Sequence, residues 1–345
     1  MAKSFHLDGK RLEEWYRCHL SDFHGWKDRE HAQDYLLFPD NIGSDLSIDE
    51  TALSYDELYT VITNKQANGR KGAVVGIIKG TSKETVIKYL QKMPASKRRK
   101  VRKITLDMAP NMELIVRRCF PAAGLVTDRF HVQKLTLEAL QDMRIAYRWQ
   151  AIEQENKEIE LAKETGKSHK PLLLENGDTH RQLLAKSRYL LFKTESKWTP
   201  SQRFRAEILF HYYPDLEATY KLTMQLKGIY EHTNDKKLAL TRLAELHEAV
   251  GQSGFKTFGT VKRSTSTHYR TILNYFDKRS TNASAESFNA KIKTFRTTLR
   301  GRRFNSQMQF CFPKMRRIIE PVFYSSIFFL VYGLICTVFA LLLCR

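Results

Sequence analysis

No two of the five cysteines stand at a spacing that would make a site. Cys18, Cys119, Cys311, Cys336 and Cys344 are scattered along the chain without a C-x-x-C pair. That excludes a zinc ribbon and a disulfide framework and fits a reducing cytoplasm. The N-terminus, MAKSFHLDGKRLEEWYRCHL, lacks the apolar core of a secretion signal. Internal repeats and long low-complexity tracts are also missing, so the chain is not a repeat array. Acids are the scarce charge: 37 Asp and Glu stand against 57 Lys and Arg, a net charge of +20. A surplus of this size selects a polyanionic partner, either nucleic acid or an anionic membrane surface. Ribosomal and chromatin-like binders share it, so the charge names a partner class and no reaction. With 345 residues, 42% of them hydrophobic, there is chain enough for one large domain or two ordinary ones.

What is present reads as mixed α/β. Met1 to about Asp40 has a helical pattern through Leu12, Trp15, Tyr16 and Leu20, closed by LLFPDN. Three strand candidates follow, DLSIDETAL, ELYTVITNK and GAVVGIIKG, the last two joined by a hairpin-like KQANGRKG with Asn-Gly at its tip. A helix fits Ser82 to Met93, then come the strand ITLD, a helix from Pro110, the strand GLVTD and a helix from about His131. Adjacent strands followed by strand–helix alternation predict a mixed sheet with helices on its faces. The boundaries that follow are an N-terminal helical segment (1–40), the first part of a core (41–150), a helical insertion (151–270), a returning core helix (271–303) and an atypical apolar tail (304–345).

The functional signal lies in three separated acids. Asp49 sits inside the first strand candidate beside Glu50, Asp107 closes ITLD, and Glu286 lies in the late helix. A strand-end aspartate is ordinarily a turn or capping residue, and Glu286 alone is one acid on a charged helix. Asp49 is different, because adjacent acids within an apolar strand are costly unless something compensates them. If the three converge, they supply the carboxylates that two divalent cations need to clamp a phosphodiester. On the late helix, Phe288, Ile292, Phe295 and Leu299 form an apolar stripe. Glu286, Asn289, Lys293, Arg296 and Arg300 form a polar stripe beside it that could carry one metal ligand and then track a phosphate backbone. The plain alternative is an amphipathic surface helix. In VTDRFHV, Asp128 and His131 stand at D-x-x-H spacing, either a metal-proximal or DNA-positioning pair or a structural hydrogen bond fixing a strand-to-helix turn. No further ligands nearby suggest zinc.

LSIDETALS, ITLDMAPN, FPAAGLVTDRFHVQKL and NASAESFNAKIKTFR, in this order, together resemble the DDE-type transposases of insertion sequences. The resemblance is to the ISL-three group and its Bacteroidetes two-reading-frame relatives, themselves Mutator-like, and runs from about Phe38 to Arg300. It implies an RNase H-like mixed sheet with flanking helices and a helical insertion before the last catalytic acid. It implies that Asp49, Asp107 and Glu286 are catalytic and hold two Mg²⁺, with Mn²⁺ an acceptable substitute. Asp128 and His131 match a supporting element, and some alignments would make Asp128 the second acid. Asn289, Lys293, Arg296 and Arg300 are the expected DNA contacts. The implied activity is hydrolysis at insertion-sequence ends followed by strand transfer into target DNA, on a homo-oligomer assembled on DNA at the nucleoid.

Two departures from the family pattern stand out. Only about forty residues precede the first strand candidate, without the zinc-binding and helix-turn-helix region of longer members. End recognition is therefore expected of a separately encoded N-terminal DNA-recognition subunit. From Pro321 to Cys344 the chain is uncharged and rich in Ile, Leu, Val and Phe, long enough for a bilayer span of about 20 residues. The resemblance fades near RGRRFNSQ, so a frameshift or read-through tail is preferred to a functional anchor, and the altered C-terminus could leave the enzyme inactive. Two rivals stay open on the residues: an RNase H-like nuclease that cuts without joining, and a non-catalytic DNA-binding or membrane-anchored remnant.

Overall fold

Runs rich in Ile, Val and Thr, cut by turn residues, build the sheet. Of the 345 residues, the computed structural model describes 8, 11, 28, 30–54, 57–70, 72–279, 288–290 and 294. Six strands, β1 (Tyr35–Leu37), β2 (Asp45–Ser54), β3 (Glu57–Asn64), β4 (Val74–Lys79), β5 (Lys103–Leu106) and β6 (Gly124–Thr127), lie in the order β1-β4-β3-β2-β5-β6. The pairs β1·β4, β4·β3 and β3·β2 are antiparallel, and β2·β5 is parallel. The connections dictate this mixture. Between β3 and β4 the chain reverses tightly, with Asn68 and Gly69 at φ of 48° and 72°, the left-handed geometry for which Asn-Gly is suited. Between β4 and β5 it crosses over through helices α1 (Lys83–Leu90) and α2 (Ala95–Arg98), the longer route a parallel neighbour requires.

Helix starts follow their capping residues. Ser82 precedes α1 and its hydroxyl accepts from the Thr85 N–H at 3.3 Å. Pro110 opens α3 (Pro110–Cys119), where its missing N–H is no loss. Strand alternation then divides the sheet by face. Leu46, Ile48, Ile104 and Leu106 share a buried core with Val86, Leu90, Met112, Ile115 and Val116 of α1 and α3. Ser47 and Thr105, one residue out of phase, point to the other face and are also buried. Four strands joined by antiparallel pairing and extended through the parallel β2·β5 pair, with helices on the sheet, make this the RNase H-like mixed α/β fold that the resemblance implied.

One strand lies where the sequence reads as helix. Tyr35–Leu37 pairs antiparallel with β4, Leu36 opposite Ile77, and Leu36 is wholly buried. A run of three or four apolar residues carries no period of its own, and the open edge of β4 decides its conformation. The remainder of the N-terminal helical expectation lies almost wholly outside the described residues.

Val126–Thr281 forms a compact unit, distinct from the one that holds the residues up to Leu125 and those from 288 on. This second unit is helical: α4 (Arg129–Glu164), α5 (His180–Lys186), α6 (Pro200–Tyr212), α7 (Pro214–His232), α8 (Lys236–Gln252) and α9 (Gly259–Leu273). The sequence boundary at 151 falls in the middle of α4, which runs unbroken for 36 residues because neither Gly nor Pro interrupts it. Leu140 of α4 packs with Leu183, Leu184, Leu209, Leu216 and Tyr220 in the core of this unit. Arg144 is buried there as well, donating to Gln141 Oε1 at 2.7 Å and to the Leu184 carbonyl at 2.9 Å.

Candidate active site

The parallel register of β2 and β5 decides where the first two acids stand. Ser47 is level with Thr105, and continuing the register by two residues along both chains brings Asp49 level with Asp107. Neighbouring strands lie about 4.8 Å apart. By alternation Asp49 shares the face of Ser47 and Thr105, away from the α1–α3 core. Asp49 is held mid-strand, since β2 continues to Ser54 and its far side is paired to β3, with Asp49 opposite Val61. Asp107 follows the last residue of β5, and its Oδ1 accepts from the Ala109 N–H at 3.0 Å. The ordinary turn role of a strand-end aspartate is thus realised through one oxygen. Both carboxylates are half-buried.

Glu50 reports the crowding. Its carboxyl is pushed above the usual carboxylate range, first by burial, then by the negative charges of Asp107 and Asp49. Glu50 therefore feels both aspartates, a role the sequence gives no sign of beyond its place next to Asp49. A basic group approaches the same face: Lys65, just after β3, donates to Thr105 Oγ1 at 2.8 Å. Its separation from Asp107 by 42 positions hides this in the sequence.

Asn289 is placed differently from the expectation. The helical wheel puts it on a polar stripe, among the expected DNA contacts. Its side chain is instead buried, 8% exposed, and its Nδ2 donates to Asp49 Oδ2 at 2.7 Å. Phe288 beside it is buried, as its place on the apolar stripe requires. Glu286, Lys293, Arg296 and Arg300 lie outside the described residues, as does the apolar run 321–344.

Asp128 and His131 open α4 in the second unit. Asp128 is the N-cap residue and is 1% exposed, while His131 is half-buried and meets the Phe130 ring edge-on at 5.8 Å between centroids. Around them Arg129 donates to the Tyr275 hydroxyl at 3.3 Å, and burial raises the Tyr230 phenol, with Tyr275 and Asp128 adding to the shift. A carboxylate at the start of a long helix is electrostatically well placed, because the first-turn N–H groups carry partial positive charge.

Whether these residues suit a metal depends on their donors. Among the described residues, no group of three or more His, Cys, Asp or Glu side chains is placed to hold an ion. Asp49 and Asp107 offer hard oxygen donors only, the set that Mg²⁺ prefers and zinc does not. Burial raises Glu50 first, and the like charges of Asp107 and Asp49 that add to it are what a divalent cation would relieve. The pair fits such an ion and is short of a third carboxylate.

The arrangement defines a class: an RNase H-like sheet with an aspartate within β2 and another just after its parallel neighbour β5, and a helical unit before the chain's return. The chain belongs to the ISL-three family of DDE transposases, whose family model, described as Transposase, matches residues 46–311. Membership makes DNA its partner and transposition its role, in a family that generally uses divalent metals. No curated protein and no solved structure matches the chain. Among the described residues, no helix is long and apolar enough to cross a membrane.

Proposed function

We propose that this chain is the catalytic subunit of an insertion-sequence transposase, cleaving element ends and joining them to target DNA in the cytoplasm at the nucleoid. Asp49, Asp107 and Glu286 would hold two Mg²⁺. The bound ions would promote attack on phosphorus and stabilise the departing oxygen. In the first reaction water adds to phosphorus at the element end, the P–O3′ bond breaks and a 3′-hydroxyl is released. In the second that hydroxyl attacks a target phosphodiester and displaces a target 3′-oxygen, so the number of phosphodiester bonds is conserved. The residues of the chain serve this by holding carboxylates at fixed separations on rigid strands, while the surplus of cations attracts and retains the polyanion.

The observation that supports this reading is the parallel β2·β5 register, in which Ser47 is level with Thr105, each two residues before an acid, Asp49 and Asp107, that are 58 positions apart in sequence. In the same reading the helical unit after β6 is the insertion before the last acid, and Lys293, Arg296 and Arg300 contact DNA phosphates. The protein acts as a homo-oligomer on DNA, with a separately encoded subunit recognising the ends.

The test uses pre-cut and uncut element-end DNA in Mg²⁺. Asp49→Asn and Glu286→Gln should each abolish cleavage and joining while binding DNA like the parent. Cleavage at the parental rate by either variant would refute the assignment. Cleavage without joining of pre-cut ends by the parent protein would reduce it to a nuclease.

A further inference from the structure

Asn289 makes a contact that a surface DNA-binding residue has no reason to make. It is 240 positions from Asp49, yet its Nδ2 lies 2.7 Å from Asp49 Oδ2, and the side chain is more than nine-tenths buried. Its Oδ1 is buried without a hydrogen-bond partner among the described residues. A buried amide is an expensive way to fill space, since an apolar side chain of similar size would leave no acceptor unmatched. We propose that Asn289 is a positioning residue of the transposition site, fixing the Asp49 carboxylate in one orientation and tying the returning chain to it. This rests on the assignment of Asp49 as a metal ligand.

Three physical points support it. A hydrogen bond to an ionised carboxylate is shorter and stronger than one between neutral groups, so it restricts the Asp49 rotamer effectively. An amide orients the carboxylate without itself neutralising it, leaving the charge for a cation, whereas a guanidinium in its place would compete with that cation. Partners of this kind orient metal ligands, and their removal typically weakens metal affinity about 10–100-fold. The same bond ties the returning chain, at position 289, to the middle of β2.

The experiment measures Mn²⁺ binding to the DNA-free protein by calorimetry, alongside the Mg²⁺ concentration that half-saturates cleavage. Asn289→Ala should weaken Mn²⁺ binding at least about tenfold and raise the half-saturating Mg²⁺ in parallel, with metal-free binding of element-end DNA unchanged. Asn289→Gln, which keeps the amide donor, should recover part of the loss. Parental Mn²⁺ affinity in Asn289→Ala would overturn the proposal, even if that variant melted earlier, because a purely structural residue lowers stability without changing the affinity of folded protein. If the alanine variant does not fold, Asn289→Ser decides by the same two titrations, with parental affinity again overturning the proposal. Asp49→Asn is measured in parallel. If it too binds Mn²⁺ like the parent, the site assignment has failed; if only Asn289→Ala does, the positioning role has.

Discussion

Replacing Asp107 by Asn separates its two possible roles, because the substitution removes the charge and keeps the acceptor. The Asn Oδ1 can still take the Ala109 N–H that Asp107 Oδ1 accepts at 3.0 Å, so the turn into α3 is retained. What is lost is repulsion from Asp49, two residues beyond the Ser47–Thr105 level of the β2·β5 register, and from Glu50, whose carboxyl burial raises first and Asp107 next. Two unit charges about 6 Å apart interact by about 0.7 kcal/mol in water and about 2.8 kcal/mol at an effective dielectric of 20. For half-buried groups a relief of about 1 kcal/mol is the reasonable middle. In EDTA, Asp107→Asn should therefore melt about 2–4 °C higher than the parent. In Mg²⁺ the order reverses. An ion at 100 times its Kd stabilises the parent by about 2.7 kcal/mol, and a variant with a weakened site gains little of that. Differential scanning fluorimetry with and without Mg²⁺ reads both effects. A variant that melts lower than the parent in EDTA and gains as much from Mg²⁺ would show that Asp107 is a turn residue alone, and the crowding argument would fall.

Two further predictions concern groups outside the site. Arg144→Ala leaves the Leu184 carbonyl and Gln141 Oε1 without their buried donor, and should cost about 1.5–3 kcal/mol in urea unfolding, against less for Arg144→Met, which keeps the packing. Burial pushes the Cys119 thiol up to about 11 from an ordinary 9.0, Arg98 opposing the shift. The unfolded chain then loses this proton first as pH rises. The associated stability is complete below about pH 9 and falls between 9 and 11, and the difference between parent and Cys119→Ala in urea melts at successive pH values should narrow over that window. An unchanged difference from pH 8 to pH 11 would contradict the burial argument.

Much of this fold could be read from local chemistry. The three strands from Asp45 to Lys79, the Asn-Gly reversal, the Ser82 cap and the Pro110 start each follow from residues within a few positions of the feature they produce. What stayed hidden depends on partners far along the chain. Tyr35–Leu37 is a strand only because the edge of β4 is there to pair with it. The 36-residue α4 merges without a local break into a polar helical pattern, so no residue near 151 marks where one segment ends and the next begins. At the site, residue type was informative and direction was not. Asp49 stood out because an acid inside an apolar strand needs a reason, whereas Glu50 beside it and Lys65 on the facing hairpin gained meaning only from the register. Asn289 shows the limit most clearly. A helical wheel places it among cations, and no local signal distinguishes an amide that faces DNA from one that turns inward to a carboxylate 240 positions away.

The sheet order explains why the acids sit where they do. Ten-residue β2 is paired along its length to β3 and, over Asp45–Ser47, to β5, so Asp49 at its middle is held by the β3 ladder just beyond the β5 pairing. β5 is only four residues long and ends beside that middle. A parallel neighbour that stops there releases its chain on the same level as Asp49, and the first residue released is Asp107, pinned by the turn into α3. An antiparallel β5 would have delivered the start of the strand to that level, with Lys103 in place of Asp107. Parallel pairing in turn requires the crossover through α1 and α2, so those helices help set the level at which Asp107 leaves β5. Shortening the 80–102 connection enough to force an antiparallel return would therefore remove the paired acids while leaving both aspartates in the sequence, the outcome expected if the site is a property of topology rather than of residue content.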